Sequence, residues 1–400
     1  MVVFAHLADC HIGAWRDPRM SALADESFAM AISRCIAEEV DFVVIAGDLF
    51  HTALPAIERL RHVVKCLESL KQAGIAVYII PGSHDYSPTG KTILGVLEEA
   101  GLVVNVYRES VVDDLIVLEP VVDTKTGVSL VGVLGRAGQL DTQKYSSLDR
   151  SSLEKLSSPK IFLFHAALSD LVSSRLAGEN AASISLLPRG FDYYAGGHVH
   201  IVEDVSLDGY SRVVYPGPTF PASFSELELL GGGGFVLVRE DSFERVSVVP
   251  REVLCVRLSC EGVSASQASE VLSEEVASLP VTDAVVLVRA SGVLSSGTTS
   301  DIDFSSVFAS AYERGAYACL KNTFGVSSPE LAVASERVSS SLSASEIQQE
   351  VFSEYADEQF SASFMKQLFS ALSQKQGDGE TKTVYEQRVF ADAKKLFSKD

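Results

Sequence analysis

The sequence predicts an α/β layered domain over about its first 250 residues, then a smaller α+β unit, then a helical tail. Three observations carry this. From Met1 to about Val205, short runs rich in Val, Ile and Phe alternate with amphipathic stretches, the pattern of buried strands and of helices packed on a sheet. The residues with chemistry in them fall just after those runs, where open α/β sheets place their sites. A Ser-rich stretch from Ser335 to Ser345 has little to bury and separates the histidine-free remainder from Phe-rich helical segments.

The apolar run Met1–Ala8 leads straight into Asp9 without a basic stretch in front, so it reads as a first strand and not as a signal peptide. Asp41–Ala46, Ile75–Ile80 and Lys160–Phe164 are further strands, and Met20–Glu39 and Pro55–Ala73 repeat apolar residues at helical spacing. Arg212–Tyr215, the turn Pro216-Gly217-Pro218 and Phe235–Val238 look like closing β structure. Gly231–Gly234 is followed by no GKS or GKT, so it predicts a hairpin connection in place of a phosphate loop.

The second unit begins near Arg251, with strands Val253–Leu258 and Ala284–Val288 and helices Ala265–Leu279 and Phe304–Leu320. Beyond the linker, helical spacing recurs first in Ile347, Val351, Phe352 and Tyr355, then in Phe360, Phe364, Leu368 and Phe369. After a break at Gly377-Asp378-Gly379, a last helix carries Val384, Tyr385, Val389, Phe390, Leu396 and Phe397. The expected boundaries are 1–250, 251–334, 335–345 and 346–400. The tail either folds back onto the second domain or docks its apolar face into a partner's groove.

At 46% hydrophobic and 22% charged residues, with no stretch near about eighteen apolar residues, the chain reads as an ordinary soluble, cytoplasmic protein. Six scattered cysteines without a CxxC pair suggest neither a zinc knuckle nor a disulfide framework. A net charge of −20 argues against a broadly basic nucleic-acid surface, so any such binding is local, assisted by cations, or lent by a partner.

Five patches hold six of the eight histidines: Asp9-Cys10-His11, Gly47-Asp48-Leu49-Phe50-His51, Gly82-Ser83-His84-Asp85, His165, and Gly196-Gly197-His198-Val199-His200. One Asp-x-His pair recurs by chance, and a lone half-buried histidine is more often a hydrogen-bonded core residue than a ligand. Five such patches in order, each after a strand, point to a site for two divalent metals, because imidazole and carboxylate together suit zinc, manganese and iron. His6, inside the first strand, reads as a packing or supporting residue. His62, on the Pro55–Ala73 helix, reads as a surface or interface residue.

With these patches in this order, the chain resembles the calcineurin-like metallophosphoesterases, and more narrowly the Mre-eleven and SbcD family of DNA double-strand-break repair nucleases. The narrowing features are Phe4-Ala5-His6-Leu7-Ala8-Asp9-Cys10-His11-Ile12-Gly13 and the histidine three places after Asp48. The resemblance covers the whole chain. It implies a four-layer α/β/β/α sandwich, a smaller α+β capping domain that contacts DNA, and a C-terminal tail binding the coiled-coil base of an ABC-type ATPase of the Rad-fifty or SbcC kind. It implies a manganese-dependent 3′–5′ double-strand exonuclease and single-strand endonuclease, with magnesium, zinc or iron as alternative metals. Position by position, it puts Asp9, His11 and His200 on one metal and His165 and His198 on the other, bridged by Asp48, with position 83 as a further ligand of the second metal. It makes His51 the residue that orients the scissile phosphate and His84 the proton donor to the leaving oxygen, with Asp85 fixing the His84 ring. Phe360, Phe364, Leu368, Tyr385, Val389 and Phe390 become the partner-binding face. The Pro55–Ala73 helix becomes a homodimer contact holding two DNA ends, where the plain alternative is a core-facing stripe. No membrane association is implied, and the expected location is the cytoplasm, at the nucleoid. Two rival functions share the ligand set: a small-nucleotide phosphodiesterase, and an end-tethering scaffold with weak or no catalysis.

One position departs from the family pattern. Ser83 stands where asparagine is usual, and a hydroxyl on a shorter arm is a weaker neutral donor than an amide oxygen. The second metal is therefore expected to bind more weakly than in a Ser83→Asn variant; manganese titrations of the two proteins giving equal affinities would remove this expectation.

Overall fold

In a computed structural model the described residues are 2–85, 92–135, 144–171, 181–239, 242–328, 352, 361–374 and 382–397. The chain forms two compact units, one of residues 1–258, 270–290 and 303–322, the other of 259–269, 291–302 and 323–400.

The first unit is built on two six-stranded sheets. In one, parallel strands β1 (Val3–Leu7), β2 (Phe42–Ala46), β3 (Ala76–Ile80) and β4 (Val104–Asn105) lie side by side. β13 (Gly233–Arg239) and β14 (Ser242–Val248) extend it antiparallel from β1. The other sheet runs in the order β11 (Val202–Leu207), β12 (Tyr210–Pro216), β10 (Tyr193–Gly197), β9 (Lys160–His165), β8 (Ser129–Gly132) and β7 (Val121–Val122). Its four inner strands are parallel, as the short β-rich runs with intervening crossovers require.

Alternation along each strand sorts the core. Phe4 and Ala8, Phe42 and Val44, Tyr78 and Ile80 face the second sheet, meeting Ile161, Leu163, Tyr193, Ala195 and Val214. Ala5 and Leu7, Val43 and Ile45 face α1 (Pro18–Ala37), α2 (Ile57–Gln72) and α3 (Ile93–Glu99), through Phe28, Ile32, Val63, Leu67 and Leu97. The outer face of the second sheet, Phe162, Phe164, Tyr194 and Tyr215, is covered by Tyr145, Leu148 and Leu187 and by the short α4 (Arg150–Glu154). The result is the four-layer sandwich, with period-two strands setting which side chains meet. A hairpin of β5 (Glu109–Val112) and β6 (Leu115–Leu118) turns through Asp113 and Asp114, both at positive φ, as a two-residue turn of primed type needs.

Between β12 and β13 the structure departs from the expected hairpin. The glycine run follows a helix, α5 (Phe224–Leu230), and Gly231 is its left-handed cap at φ 66°, with its N–H returning to the Leu227 carbonyl. The following glycines open β13 itself.

The expected α+β unit is formed by β15 (Val253–Ser259), α6 (Ala265–Ser278), β16 (Val285–Val293), α7 (Phe304–Glu313) and β17 (Ala318–Ser327), with β16 at the centre of a three-stranded sheet. The helix expected to reach Leu320 stops at Glu313, because Gly315 turns the chain at φ 91° and Ala318–Leu320 enter the third strand. Within the first unit, Val285, Leu287 and Ala318 bury against Met20, Leu23, Phe220 and Leu227.

In the second unit, α8 (Ala362–Leu372) and α9 (Lys382–Leu396) pack together, with the Phe364 and Phe397 rings edge to face at 5.1 Å and the Tyr385 hydroxyl donating to the Gln374 carbonyl at 2.8 Å. Leu368 and Val389 are half-buried, while Phe369 and Phe390 are exposed. Phe360 and the 335–345 linker lie outside the described residues. All six cysteines are free, and among the described residues no helix is long and apolar enough to cross a membrane.

Phe42, fully buried, stacks on Phe4 at 5.2 Å and meets the edge of Tyr78 at 5.6 Å. Phe42→Ala is expected to cost about 3–5 kcal/mol in urea unfolding, whereas Leu115→Ala on the exposed hairpin changes stability by less than about 0.5 kcal/mol.

Candidate metal centre

All five patches meet at the C-terminal edges of the two sheets. Asp9 and His11 follow β1, Asp48 and His51 follow β2, and Ser83, His84 and Asp85 follow β3, all from the first sheet. From the second, His165 ends β9, and His198 and His200 follow β10. Asp9, His11, Asp48 and His165 are buried, His51, Ser83, His198 and His200 half-buried, and His84 exposed.

Asp48 is the hub. Its Oδ1 accepts the His84 N–H at 2.8 Å. Its Oδ2 lies 3.2 Å from His165 Nε2, 3.4 Å from His11 Nε2 and 3.5 Å from Ser83 Oγ. Asp9 accepts the His198 N–H at 2.9 and 3.1 Å, and its Oδ1 lies 4.0 Å from His200 Nε2 and 3.9 Å from His165 Nδ1. Donor atoms of Asp9, His11 and His200 fall within 4.8 Å of one another, as do those of Asp9, Asp48 and His165, and those of His11, His51 and His84. His198 joins none of these three groups; its ring lies 5.1 Å from that of His165.

The donor set fits divalent cations on geometric grounds. His165 Nδ1 donates to the Ala46 carbonyl at 2.8 Å, which turns Nε2 toward Asp48 Oδ2, 3.2 Å away, with room between them for a proton or a cation. His200 Nδ1 donates to Glu226 at 3.0 Å, which turns its Nε2 toward His11 Nε2, 2.9 Å away. Buried lone pairs set against one another at these distances need a proton or a cation between them, and nitrogen–oxygen sets of this kind suit manganese, zinc or iron.

The electrostatics agree. Burial alone would raise Asp48, but the imidazoles of His165 and His11 and the His84 N–H hold it well below the usual carboxylate range. His165 is pushed up to about 10 by Asp48 despite burial. Burial drives His11 down to about 3 and His198 to about 4, so both are neutral rings, each with one unprotonated nitrogen, at physiological pH.

Asp85 departs from expectation. Its carboxylate does not fix the His84 ring; it accepts the N–H groups of Leu49, Phe50 and Gly82 at 3.1, 3.0 and 3.2 Å, tying the loop after β3 to the loop after β2. The His84 ring is held by the His51 carbonyl, 2.8 Å from Nδ1, and stacks on the His51 ring at 4.8 Å. His6 Nδ1 lies 3.0 Å from the Tyr193 hydroxyl between the sheets, and His62 Nε2 lies 2.8 Å from the Asp25 carbonyl, so neither reaches the site. A cavity of about 620 Å³ lined by Phe4, Lys160, Tyr193 and Arg212 lies at the opposite ends of the same strands and has no part in this chemistry.

Glu226 is the residue that sequence reading missed. Besides His200, it accepts the Ala222 N–H at 3.0 Å and the Ser223 hydroxyl at 2.9 Å, while Ser223 Oγ accepts the Glu226 N–H. Ser223-x-x-Glu226 is a capping-box pattern and could have marked the start of α5, though nothing local in it points to His200.

Two parallel-stranded sheets whose C-terminal edges bring carboxylates and imidazoles into one hollow define a metal-dependent phosphoesterase. The model of the calcineurin-like phosphoesterases matches residues 2–202, and the chain belongs to that family. It is 30% identical to the "DNA double-strand break repair protein Mre11" of Archaeoglobus fulgidus, over 72% of this chain and 71% of that one. It is 28% identical to the protein of the same name from Methanopyrus kandleri, over 64% and 57%, and 26% identical to the "Uncharacterized metallophosphoesterase YhaO" of Bacillus subtilis, over 59% and 57%. The chain thus spans less than two thirds of the length of these last two relatives. Within the family it is a metallophosphoesterase of the Mre11 type.

Gly82 lets the two loops close: a Cβ there would sit 2.1 Å from Asp48 Oδ1 and 2.3 Å from the Asp48 nitrogen. Gly82→Ala is expected to leave circular dichroism unchanged and to weaken manganese binding at least about tenfold in calorimetric titration, as displacement of metal-orienting groups does.

Proposed function

We propose that this chain is the nuclease subunit of a DNA double-strand-break repair complex, a manganese-dependent 3′–5′ exonuclease on duplex ends and endonuclease on single strands. The observation that carries the reading is the convergence of Asp9, His11, Asp48, His165 and His200, from two sheets, into donor groups that could hold a metal ion. Supporting it is the likeness to a protein named for double-strand-break repair.

On this reading Asp9, His11 and His200 would hold one cation and His165 and His198 the other, with Asp48 serving both and Ser83 contributing weakly to the second. A bound pair of cations supplies an activated water and a clamp on the phosphate oxygens. The chain's own residues do the rest. Burial of Asp9 and Asp48 excludes bulk water, and His51 orients the scissile phosphate from the rim. His84 donates its Nδ1–H to the His51 carbonyl, which leaves Nε2 to face the phosphate; as the imidazolium, the ring gives its Nε2 proton to the leaving oxygen as the P–O bond breaks and is left neutral.

Residues 1–250 act as the nuclease domain and 251–334 as a cap that contacts DNA. The linker 335–345 carries the tail 346–400, which docks on an ABC-type coiled-coil ATPase that lends the DNA affinity an acidic chain lacks. The exposed Phe390 on α9 suits such docking. On α2, Val63, Leu67 and Leu70 are committed to the core, so a homodimer would draw on the exposed Leu54 and Ile57. The location that follows is the cytoplasm, at the nucleoid.

Digestion of end-labelled DNA with manganese tests this. Wild type is expected to cleave, and His84→Ala to lose about two orders of magnitude or more in rate while binding manganese as before. Hydrolysis of nucleotide esters with none of DNA would favour the small-nucleotide reading, and absence of any cleavage with the ATPase present would favour the scaffold.

A further inference from the structure

Helix α5 is committed on two sides. Toward the metal centre, Glu226 Oε2 holds His200 Nδ1 at 3.0 Å and the Ala222 N–H at 3.0 Å. Toward the small sheet, β16 contributes Arg289, whose Nε donates to Glu228 at 2.6 Å and whose Nη2 donates to Ser225 at 3.1 Å, with the guanidinium 5.2 Å from the Phe224 ring centre. Leu227, fully buried, packs in one cluster with Val285, Leu287 and Ala318. Every residue from Phe224 to Glu228 therefore touches either the metal ligand His200, directly or through the cap of the helix, or the strands of the small sheet.

A helix of seven residues has no independent stability; its position is set by what it packs against. An Arg fork on a carboxylate and a hydroxyl fixes that position more tightly than apolar contact alone. A hydrogen bond of 3.0 Å tolerates little displacement before it is lost, so a small shift of α5 frees the His200 ring.

We propose that α5 is a relay, in which Arg289 and Glu228 are positioning residues for His200, acting through Glu226, so that the seating of β16 sets metal affinity. The proposal rests on the metal-centre reading above. Its consequence follows from linkage: whatever shifts the small sheet away from α5 loosens manganese, and manganese in turn resists that shift by the same factor.

Calorimetric titration of manganese into the full chain tests it, alongside thermal unfolding, with Glu226→Gln, Arg289→Ala, Glu228→Gln, and each of the last two combined with Glu226→Gln. Glu226→Gln is expected to bind manganese about 10- to 100-fold more weakly, as loss of a ligand-orienting partner does. Arg289→Ala and Glu228→Gln are each expected to weaken it about three- to tenfold alone and to add nothing further in the Glu226→Gln background, the signature of one pathway. In the metal-free protein, the downfield proton resonance of the carboxylate-bonded His200 Nδ1–H is expected to be lost in Glu226→Gln and broadened in Arg289→Ala. Additive losses, or an Arg289→Ala protein that is folded and binds manganese as wild type does, overturn the relay. Glu228→Gln, which keeps an acceptor for Arg289, carries the test should Arg289→Ala not fold. Wild type that binds no manganese overturns the metal-centre reading itself, a result distinguishable from additivity.

Discussion

The structure depends on a single buried carboxylate. Asp48 sits at the end of β2 with 2% of its surface exposed, and its neighbours come from both sheets: His11 after β1, Ser83 and His84 after β3, His165 at the end of β9. A carboxylate in such a place without compensation costs several kcal/mol, so these loops converge or the charge is not tolerated. Asp85 secures the convergence one layer out. It spends its acceptors on three backbone N–H groups, which tie the loops after β2 and β3 directly to each other. The site is in this sense built by backbone and held by carboxylates.

That convergence bends the chain. Asp9, His11, Asp48, His198 and His200 all have positive φ, five of the ten non-glycine residues that do so among the described ones. Aspartate and histidine visit this region more readily than most residues, yet each such residue still costs on the order of 1 kcal/mol or more. The layers beneath meet that cost. The intersheet core of Phe4, Phe42, Tyr78 and Leu163 and the helix-facing core of Phe28, Val43 and Leu67 fix the strand ends from which the strained residues project. Rigidity below and strain above are two sides of one arrangement: a metal centre needs donors held in place before the cation arrives.

How much of this was legible in the sequence follows from the range of each interaction. Strand alternation and helical spacing are local, so β2, β3, β9, α1 and α2 fall within a residue or two of where their patterns place them. The candidate donors were legible because each directly follows an apolar run, and only the convergence of those runs had to be supplied. What was hidden is what joins distant segments through backbone groups or through a short element. Asp85 has the same side chain whether it serves a ring or three amides. The helical pattern from Phe304 runs on to Leu320, into the first three residues of β17, because Ala316–Leu320 is too short and too mixed for periodicity to decide; Gly315 is the one local warning. Helix α5, squeezed between a Pro-Gly-Pro turn and a glycine run, announces its start in Ser223-x-x-Glu226 and nothing of its contact with His200, twenty-six positions upstream.

The acidity of the chain takes on a different sense once the centre is in view. On the metal reading, two carboxylates and neutral imidazoles around two divalent cations leave that hollow positive, while the chain as a whole carries −20. Charges spread over the surface are screened beyond about 8–10 Å at physiological salt, whereas cations among buried donors are screened far less and focus their field locally. A phosphate would then be repelled weakly over most of the surface and attracted strongly at one place. Holding long stretches of nucleic acid takes many Lys and Arg contacts with phosphates, so on the proposed function a single phosphodiester would enter the site, presented by something else. On the proposed function, a presenting partner has its electrostatic rationale in this charge distribution, and the exposed Phe390 of α9 would be a place for it to dock.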